Sequence, residues 1–306
     1  MRGAALLVIV VSLGVSQAQQ PQFNASTSLV RLDAGVIDDN GPVRGLHPED
    51  FVVEDMGAKQ AVRVEEYVDA PLDLVLVAPP VTAVAYTSAE QVPRVSAGLS
   101  AFLGGVQERD RLGVVMAGAP PTRLRPLEFG RPAFDLQVFS GGNDAAPFDG
   151  IAAALRLFDQ SDRRRALVAF TNAADFRSVV TFPMLTDLAR RLGPAFVLVG
   201  APVRFIAAAG SRAELTTGAS LADGLVLQTG TVFPTTLQLL ARRTGGITVD
   251  LGDGDPAQSI ARMFSWLRRG YLISYEPPAG KGWHRVTVKV NRRGARVSVR
   301  EGYVVD

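Results

Sequence analysis

The 306-residue chain contains no cysteine, which excludes disulfides, a thiolate nucleophile, a lipid-bearing cysteine and a thiolate metal site. Its only histidines are His47 and His284, one towards each end of the chain. A histidine-based triad is therefore not expected in the central part, although His284 is placed to approach a carboxylate across the terminal strands. Charge of one sign is also missing: 32 basic and 30 acidic residues leave a formal net charge of +2, with no pull towards nucleic acid or anionic lipid. The short arginine clusters "DRRRA", "WLRRG" and "NRRG" lack interleaved aromatics and read as solvated edges of strands and turns. No Gly-x-x-x-x-Gly-Lys loop is present, and no Gly-x-Gly-x-x-Gly lies between a strand and a helix.

The opening "MRGAALLVIVVSLGVSQAQQ" has a basic start at Arg2, an apolar run from Ala4 to Val15, and small residues at Ser16 and Ala18. That layout predicts a secretory signal peptide over 1–18, followed by a linker over 19–27. Export to the periplasm or the outside follows, with an uncleaved membrane anchor as the alternative. No later stretch is long and apolar enough to span a bilayer.

From Ser28 to Val68, short β-like runs alternate with turn signals at Asn40-Gly41 and Met56-Gly57, which predicts an N-terminal β module over 28–70. The pattern then changes. "LDLVLVA", "RLGVVMA", "RALVAFT" and "AFVLVG" are continuous apolar runs, as expected of strands buried on both faces. Helical spacing appears over Pro93–Val106, Phe182–Leu192 and Pro234–Arg243, and a last helix has Asp255 as N-cap and Pro256 in its first turn. The predicted fold class is α/β, a doubly wound, mainly parallel sheet over 71–269. β alternation returns over 270–306, where "NRRG" reads as a hairpin turn. The two ends are expected to join in a small antiparallel subdomain, with Trp266 and Trp283 packed where the last helix meets it. Ala207–Gly230 has no strong periodicity and reads as an excursion.

In order, "GPVRGLHPEDFVVEDMGAKQAV", "PLDLVLV", "RRRALVAFTNAADFRS", "LARRTGG" and "WLRRGYLISYEPP" with its following strands resemble the VWFA-related domain family of secreted bacterial proteins. The resemblance implies a central fold similar to the von Willebrand factor type A domain, with ligands beyond the carboxyl ends of the strands. Many such domains carry a metal-ion-dependent adhesion site there, built from Asp-x-Ser-x-Ser, a Thr and a Thr-Asp-Gly turn. Such a set suits Mg²⁺, a hard cation that requires oxygen ligands. In this chain the first triplet falls on Ala78, Pro80 and Thr82. The second position is Asn143 or Ala145, depending on the gap, and the third reads Thr171-Asn172-Ala173. The resemblance thus implies the fold without its metal site.

The reading is an exported, non-enzymatic adhesion or protein-interaction module with an unidentified protein partner and no cofactor. Its face is formed by Pro79, Pro80, Thr82, Asn143, Asp144, Asp149, Asn172, Asp175 and Phe176, within the loops 79–87, 141–149, 172–178 and part of 201–232. Asp149 reads on its own as the N-cap of a helix starting near Gly150, and Asp175 as a solvated carboxylate. Three alternatives stay open. One is a relocated Mg²⁺ or Ca²⁺ site using Asp144, Asp149, Asn172 and Asp175; another is a cell-envelope hydrolase using Asp144 and Asp175; the third is a purely structural domain.

Overall fold

The computed structural model describes residues 29–78, 91–132, 146–159, 161–171, 175, 177–200, 203–204, 231–232, 235–252 and 254–305. The expected signal peptide, linker and 207–230 excursion lie outside them. In chain order the first strands are β1 (Val30–Asp38), β2 (Gly41–Pro42), β3 (Phe51–Asp55), β4 (Ala58–Lys59) and β5 (Arg63–Tyr67). The middle of the chain holds β6 (Leu72–Ala78), α1 (Gln91–Gly105), β7 (Arg111–Met116), β8 (Thr122–Phe129), α2 (Pro147–Leu155), β9 (Arg164–Phe170), α3 (Phe182–Leu192) and β10 (Ala195–Gly200). It continues with β11 (Val203–Arg204), β12 (Thr231–Val232), α4 (Thr235–Arg243), β13 (Thr248–Asp250) and α5 (Pro256–Arg268). The chain closes with β14 (Gly270–Tyr275), β15 (Gly282–Val290), β16 (Arg296–Ser298) and β17 (Gly302–Val305).

Six strands form one sheet in the order β13-β10-β9-β6-β7-β8. All neighbours are parallel except β7 and β8. The apolar runs are continuous because both faces are covered. Leu72, Leu74 and Leu76 point to the side where Leu99 and Phe102 of α1 pack with Ile260, Met263 and Leu267 of α5. Val75 and Val77 point to the opposite side, against Ile151 of α2, Leu185 of α3 and Leu237 of α4. This two-residue alternation is what a pleated strand between two helical layers dictates. The sheet is therefore doubly wound, and its strand order reverses between β6 and β9.

The helix starts follow local chemistry. Asp255 accepts from the Ala257 amide, Pro256 opens α5, and Thr181 accepts from Met184 at the start of α3. Strand β8 has no counterpart in the sequence reading. It is an edge strand with Pro126 inside it, where a ladder donor is missing, and its pairing with β7 slips at that point.

The two chain ends pair as expected. β1 runs antiparallel to β14, and β3 runs antiparallel to β15, giving the sheets β16-β1-β14-β5 and β17-β15-β3-β4. Their inner faces share one core, in which Leu32 and Ile273 meet Val53 and Val286, and the Phe51 and Tyr271 rings pack edge to face at 5.3 Å. Met56 and Gly57, both at positive φ, make the two-residue turn between β3 and β4. "NRRG" is not a plain hairpin: β15 before it belongs to one sheet and β16 after it to the other, so the turn carries the chain across the sandwich. Trp266 of α5 lies so close to β1 that a methyl at Gly35 would stand 2.4 Å from its indole nitrogen. Trp283 packs under α3 instead, with Arg190 4.6 Å above its ring.

Candidate functional site

The parallel strands deliver their following loops to one end of the sheet. At that end the Ala117 amide donates to Ala78 and the Ala146 amide to Ala117, lacing the exits of β6 and β7 to the start of α2, while the Thr171 amide donates to Val199 and ties the exit of β9 to β10. On α1, Arg94 donates through Nε to the Leu251 carbonyl at 2.6 Å and through Nη2 to that of Gly254, fixing the loop before α5 at the same end. Of the nine residues expected on this face, Pro79, Pro80, Thr82, Asn143, Asp144, Asn172 and Phe176 lie outside the described residues. Asp149 and Asp175 are described, and the structure brings them together through a third residue.

Asp149 is not an N-cap. Helix α2 begins two residues earlier, at Pro147, with Ala146 in the cap position. Pro147 supplies the start because it has no amide to satisfy. The Asp149 carboxylate, in the first turn, faces the loop before α3 instead. It accepts from the Val179 amide at 3.0 Å and from the Val180 amide at 2.8 Å, while its own amide donates to Ser178 Oγ at 3.1 Å. Position and helix dipole agree, since a negative group at a helix N-terminus is favoured.

Asp175 is half-buried rather than solvated. Its Oδ1 accepts from the Ser178 amide at 3.0 Å, and its buried Oδ2 has no partner among the described residues. Asp149, Ser178 and Asp175 thus form one lock that holds Asp175 and residues 178–180 against α2. Val179 stands at its tip with 83% of its surface exposed. The sequence reading ended this face at Ser178; the local signal for a longer face was the apolar pair Val179-Val180 in a polar loop just before the Thr181 cap.

The other singled-out residues fall elsewhere. His47 precedes a short 3₁₀ turn, and its amide donates to Asp50 at 2.8 Å. His284 does meet a carboxylate, on the neighbouring strand of its own sheet: Nδ1 lies 3.1 Å from Oδ1 of Asp55, whose Oδ2 accepts from Tyr275 at 2.9 Å and Tyr303 at 2.6 Å. Burial, followed by the bonds to Asp55, pushes both phenols above the ordinary tyrosine range. His284 and Asp55 are themselves buried and both phenols are committed to Asp55, so the constellation offers no exposed nucleophile. Its geometry joins the two sheets of the sandwich.

Two of the arginine clusters, "DRRRA" and "WLRRG", are not solvated edges, whereas Arg292 and Arg293 of "NRRG" are exposed as expected. Arg163 pairs with fully buried Asp73 at 2.7 Å, and Arg111 joins the same carboxylate at 2.5 Å. Arg164 is buried and donates to the Trp266, Leu267 and Arg269 carbonyls at the end of α5. Burial pulls its pKa down, and no carboxylate pairs with it among the described residues. Arg268 of "WLRRG" pairs with buried Asp110 at 2.6 Å. All of these sit at the start of the parallel strands, opposite the loop face.

No family model matches the chain, and no curated protein matches it. Among solved structures, the chain is similar to an aerotolerance-related membrane protein from Bacteroides fragilis, with 13% identity over 64% of this chain and 98% of that one, at a TM-score of 0.43. It is similar to BatB from Bacteroides thetaiotaomicron, with 12% identity over 63% of this chain and 98% of that one, at a TM-score of 0.42. It is also similar to a von Willebrand factor type A protein from Catenulispora acidiphila, with 10% identity over 92% of this chain and 75% of that one, at a TM-score of 0.44. Likenesses this distant carry no argument about function, and the doubly wound α/β class implied by the sequence resemblance rests on the strand order itself.

Proposed function

We propose that this chain is an exported, non-enzymatic interaction module that binds a protein partner through the loops at the carboxyl end of its parallel sheet, without a bridging metal. The supporting observation is the Asp149 lock. A carboxylate at the switch point of the sheet is engaged by two backbone amides and holds Val179 out to solvent. A stiff loop with an apolar tip is suited to contact, because little ordering entropy remains to be lost on binding. Export rests on the signal-like first 18 residues. Among the described residues, no helix is long and apolar enough to cross a membrane.

A photo-crosslinking residue at position 179, compared with one at Lys59 on the sandwich, tests this reading in intact cells. The expected result is a discrete crosslinked protein from position 179 alone, retained in EDTA and lost in Asp149→Ala protein of unchanged circular dichroism. Equal crosslinking from both positions, or none, would sink it.

One observation favours a second reading, the relocated cation site: the buried Oδ2 of Asp175 lacks a partner among the described residues. In that case Mg²⁺, Mn²⁺ or Ca²⁺ at 100 times the dissociation constant stabilises the native state by about 2.7 kcal/mol. The unfolding temperature then rises by on the order of 5 °C, reversibly with EDTA and not in Asp175→Ala.

A further inference from the structure

At the opposite end of the sheet, where the parallel strands begin, a cleft of about 760 Å³ opens between the α/β layer and the sandwich. Among the described residues its walls carry five arginines, Arg31, Arg163, Arg165, Arg191 and Arg300, and only two acidic side chains, Asp33 and Asp162. Three of the arginines have carboxylate partners. Arg31 pairs with Asp162 at 2.5 Å, Arg163 with Asp73 at 2.7 Å and Arg191 with Asp187 at 3.0 Å. Arg165 and Arg300 have none among the described residues, and they converge. A methyl group at Gly193, the residue that ends α3, would lie 2.8 Å from Arg300 Nη1 and 3.7 Å from Arg165 Nη2.

Arg300 is held in place rather than free to swing into water. Its Nη2 donates to the Arg31 carbonyl at 3.1 Å and its guanidinium lies 5.7 Å over the Tyr303 ring, yet its buried Nε has no acceptor among the described residues. Burial pulls its pKa down, and neighbouring Arg165 pulls the same way against the opposing influence of Asp33. The end of α3 supplies about half a negative charge through its carbonyl dipoles, and Arg190 and Arg191 in its last turn already draw on it. That is too little for two further guanidinium groups. Buried donors and like charges placed together call for a counter-ion.

We propose that this cleft binds a small organic oxyanion, a phosphate or carboxylate compound, gripped between Arg165 and Arg300. Both groups match the forked, planar donor pattern of guanidinium. The volume suits a small molecule, for which sites of about 300–1,000 Å³ are usual, and Leu272 and Pro277 supply an apolar wall for its carbon portion. The site is independent of the loop face, so either can fail without the other.

Titration calorimetry of the purified protein with pyrophosphate and with citrate tests the proposal. The expected result is saturable binding of at least one anion, weaker at high salt and at least about tenfold weaker in Arg165→Gln and Arg300→Lys, with Arg44→Gln unchanged. Binding of pyrophosphate alone assigns a phosphate ligand, and binding of citrate alone a carboxylate. Arg165→Glu, which places a carboxylate beside Arg300, is expected to raise the unfolding temperature without ligand and to abolish the response to pyrophosphate. No binding of either anion at low salt, or binding that Arg165→Gln leaves intact, would overturn the proposal.

Discussion

The α/β layer and the β sandwich both bury carboxylates completely, and they do so with opposite chemistry. In the α/β layer, Asp73 is met by Arg111 and Arg163, and Asp110 by Arg268. Asp110 also accepts from the Leu72 amide at 3.0 Å and the Gln107 amide at 2.8 Å, so one side chain ties β6 and the turn before β7 to the end of α5. In the sandwich, Asp55 on β3 is held by two phenols and a histidine nitrogen from β14, β17 and β15. No arginine is among these donors. The first arrangement combines charge compensation with hydrogen bonds, whereas the second relies on hydrogen bonds from two phenols and an imidazole, of which the one from Tyr275 crosses from one sheet to the other. The difference predicts what each loses on mutation: an orphaned charge in one case, a missing donor in the other.

The largest expected effect follows from the orphaned charge. Asp110→Ala leaves Arg268 buried without its partner and is expected to cost about 3–5 kcal/mol. The unfolding temperature should drop by on the order of 10 °C. Tyr303→Phe comes next, because it removes one donor and leaves Tyr275 and His284 on Asp55. A hydrogen bond to a charged group is worth about 1.5–3 kcal/mol, and urea denaturation of the two variants side by side measures the contrast. If Tyr303→Phe proves the more damaging, charge compensation is not what separates the regions, and the hydrogen bonds that satisfy Asp55 matter more.

Much of the architecture was legible because burial on both faces writes itself as unbroken apolar text. "LDLVLVA", "RLGVVMA", "RALVAFT" and "AFVLVG" became β6, β7, β9 and β10, and Phe182–Leu192 became α3 with the expected bounds. Strand β8 was missed because an edge strand needs no continuous apolar face and tolerates Pro126. "NRRG" misled because a turn sequence specifies its local bend and not which sheet its second arm joins. The ion pairs left no local signal: Asp110 and Arg268 lie 158 residues apart, and Asp73 and Arg163 lie 90 apart. What could be seen was a charge at the mouth of three of the four apolar runs, Asp73, Arg111 and Arg164, of which only Arg164, in "DRRRA", was read as part of a solvated edge. On the loop face, Asp149 was found by its residue type and position, while its role came from Val179 and Val180, which sequence spacing alone does not bring to it.

The smallest effect divides the two regions by their response to acid. Burial raises the Asp73 carboxyl pKa, but hydrogen bonds from Arg111, Ser161 and Arg163 more than reverse it, so the group titrates below the ordinary range. Asp110 follows the same pattern, with Arg268 and the Gln107 and Leu72 amides outweighing burial. Both folded-state values are below that of an unfolded aspartate, about 3.9, so on acidification the unfolded chain takes up these protons first. The stabilisation is present in full above the unfolded value and is lost as the pH falls through the folded ones. Urea unfolding followed downward from about pH 5 should therefore show falling stability in the wild-type protein. In Asp110→Asn the slope should be shallower by at most one proton, about 1.4 kcal/mol per pH unit. A slope that this substitution leaves untouched would place the acid sensitivity outside the Asp110–Arg268 pair, and an untouched slope in Asp73→Asn as well would make the contrast with the sandwich one of geometry alone.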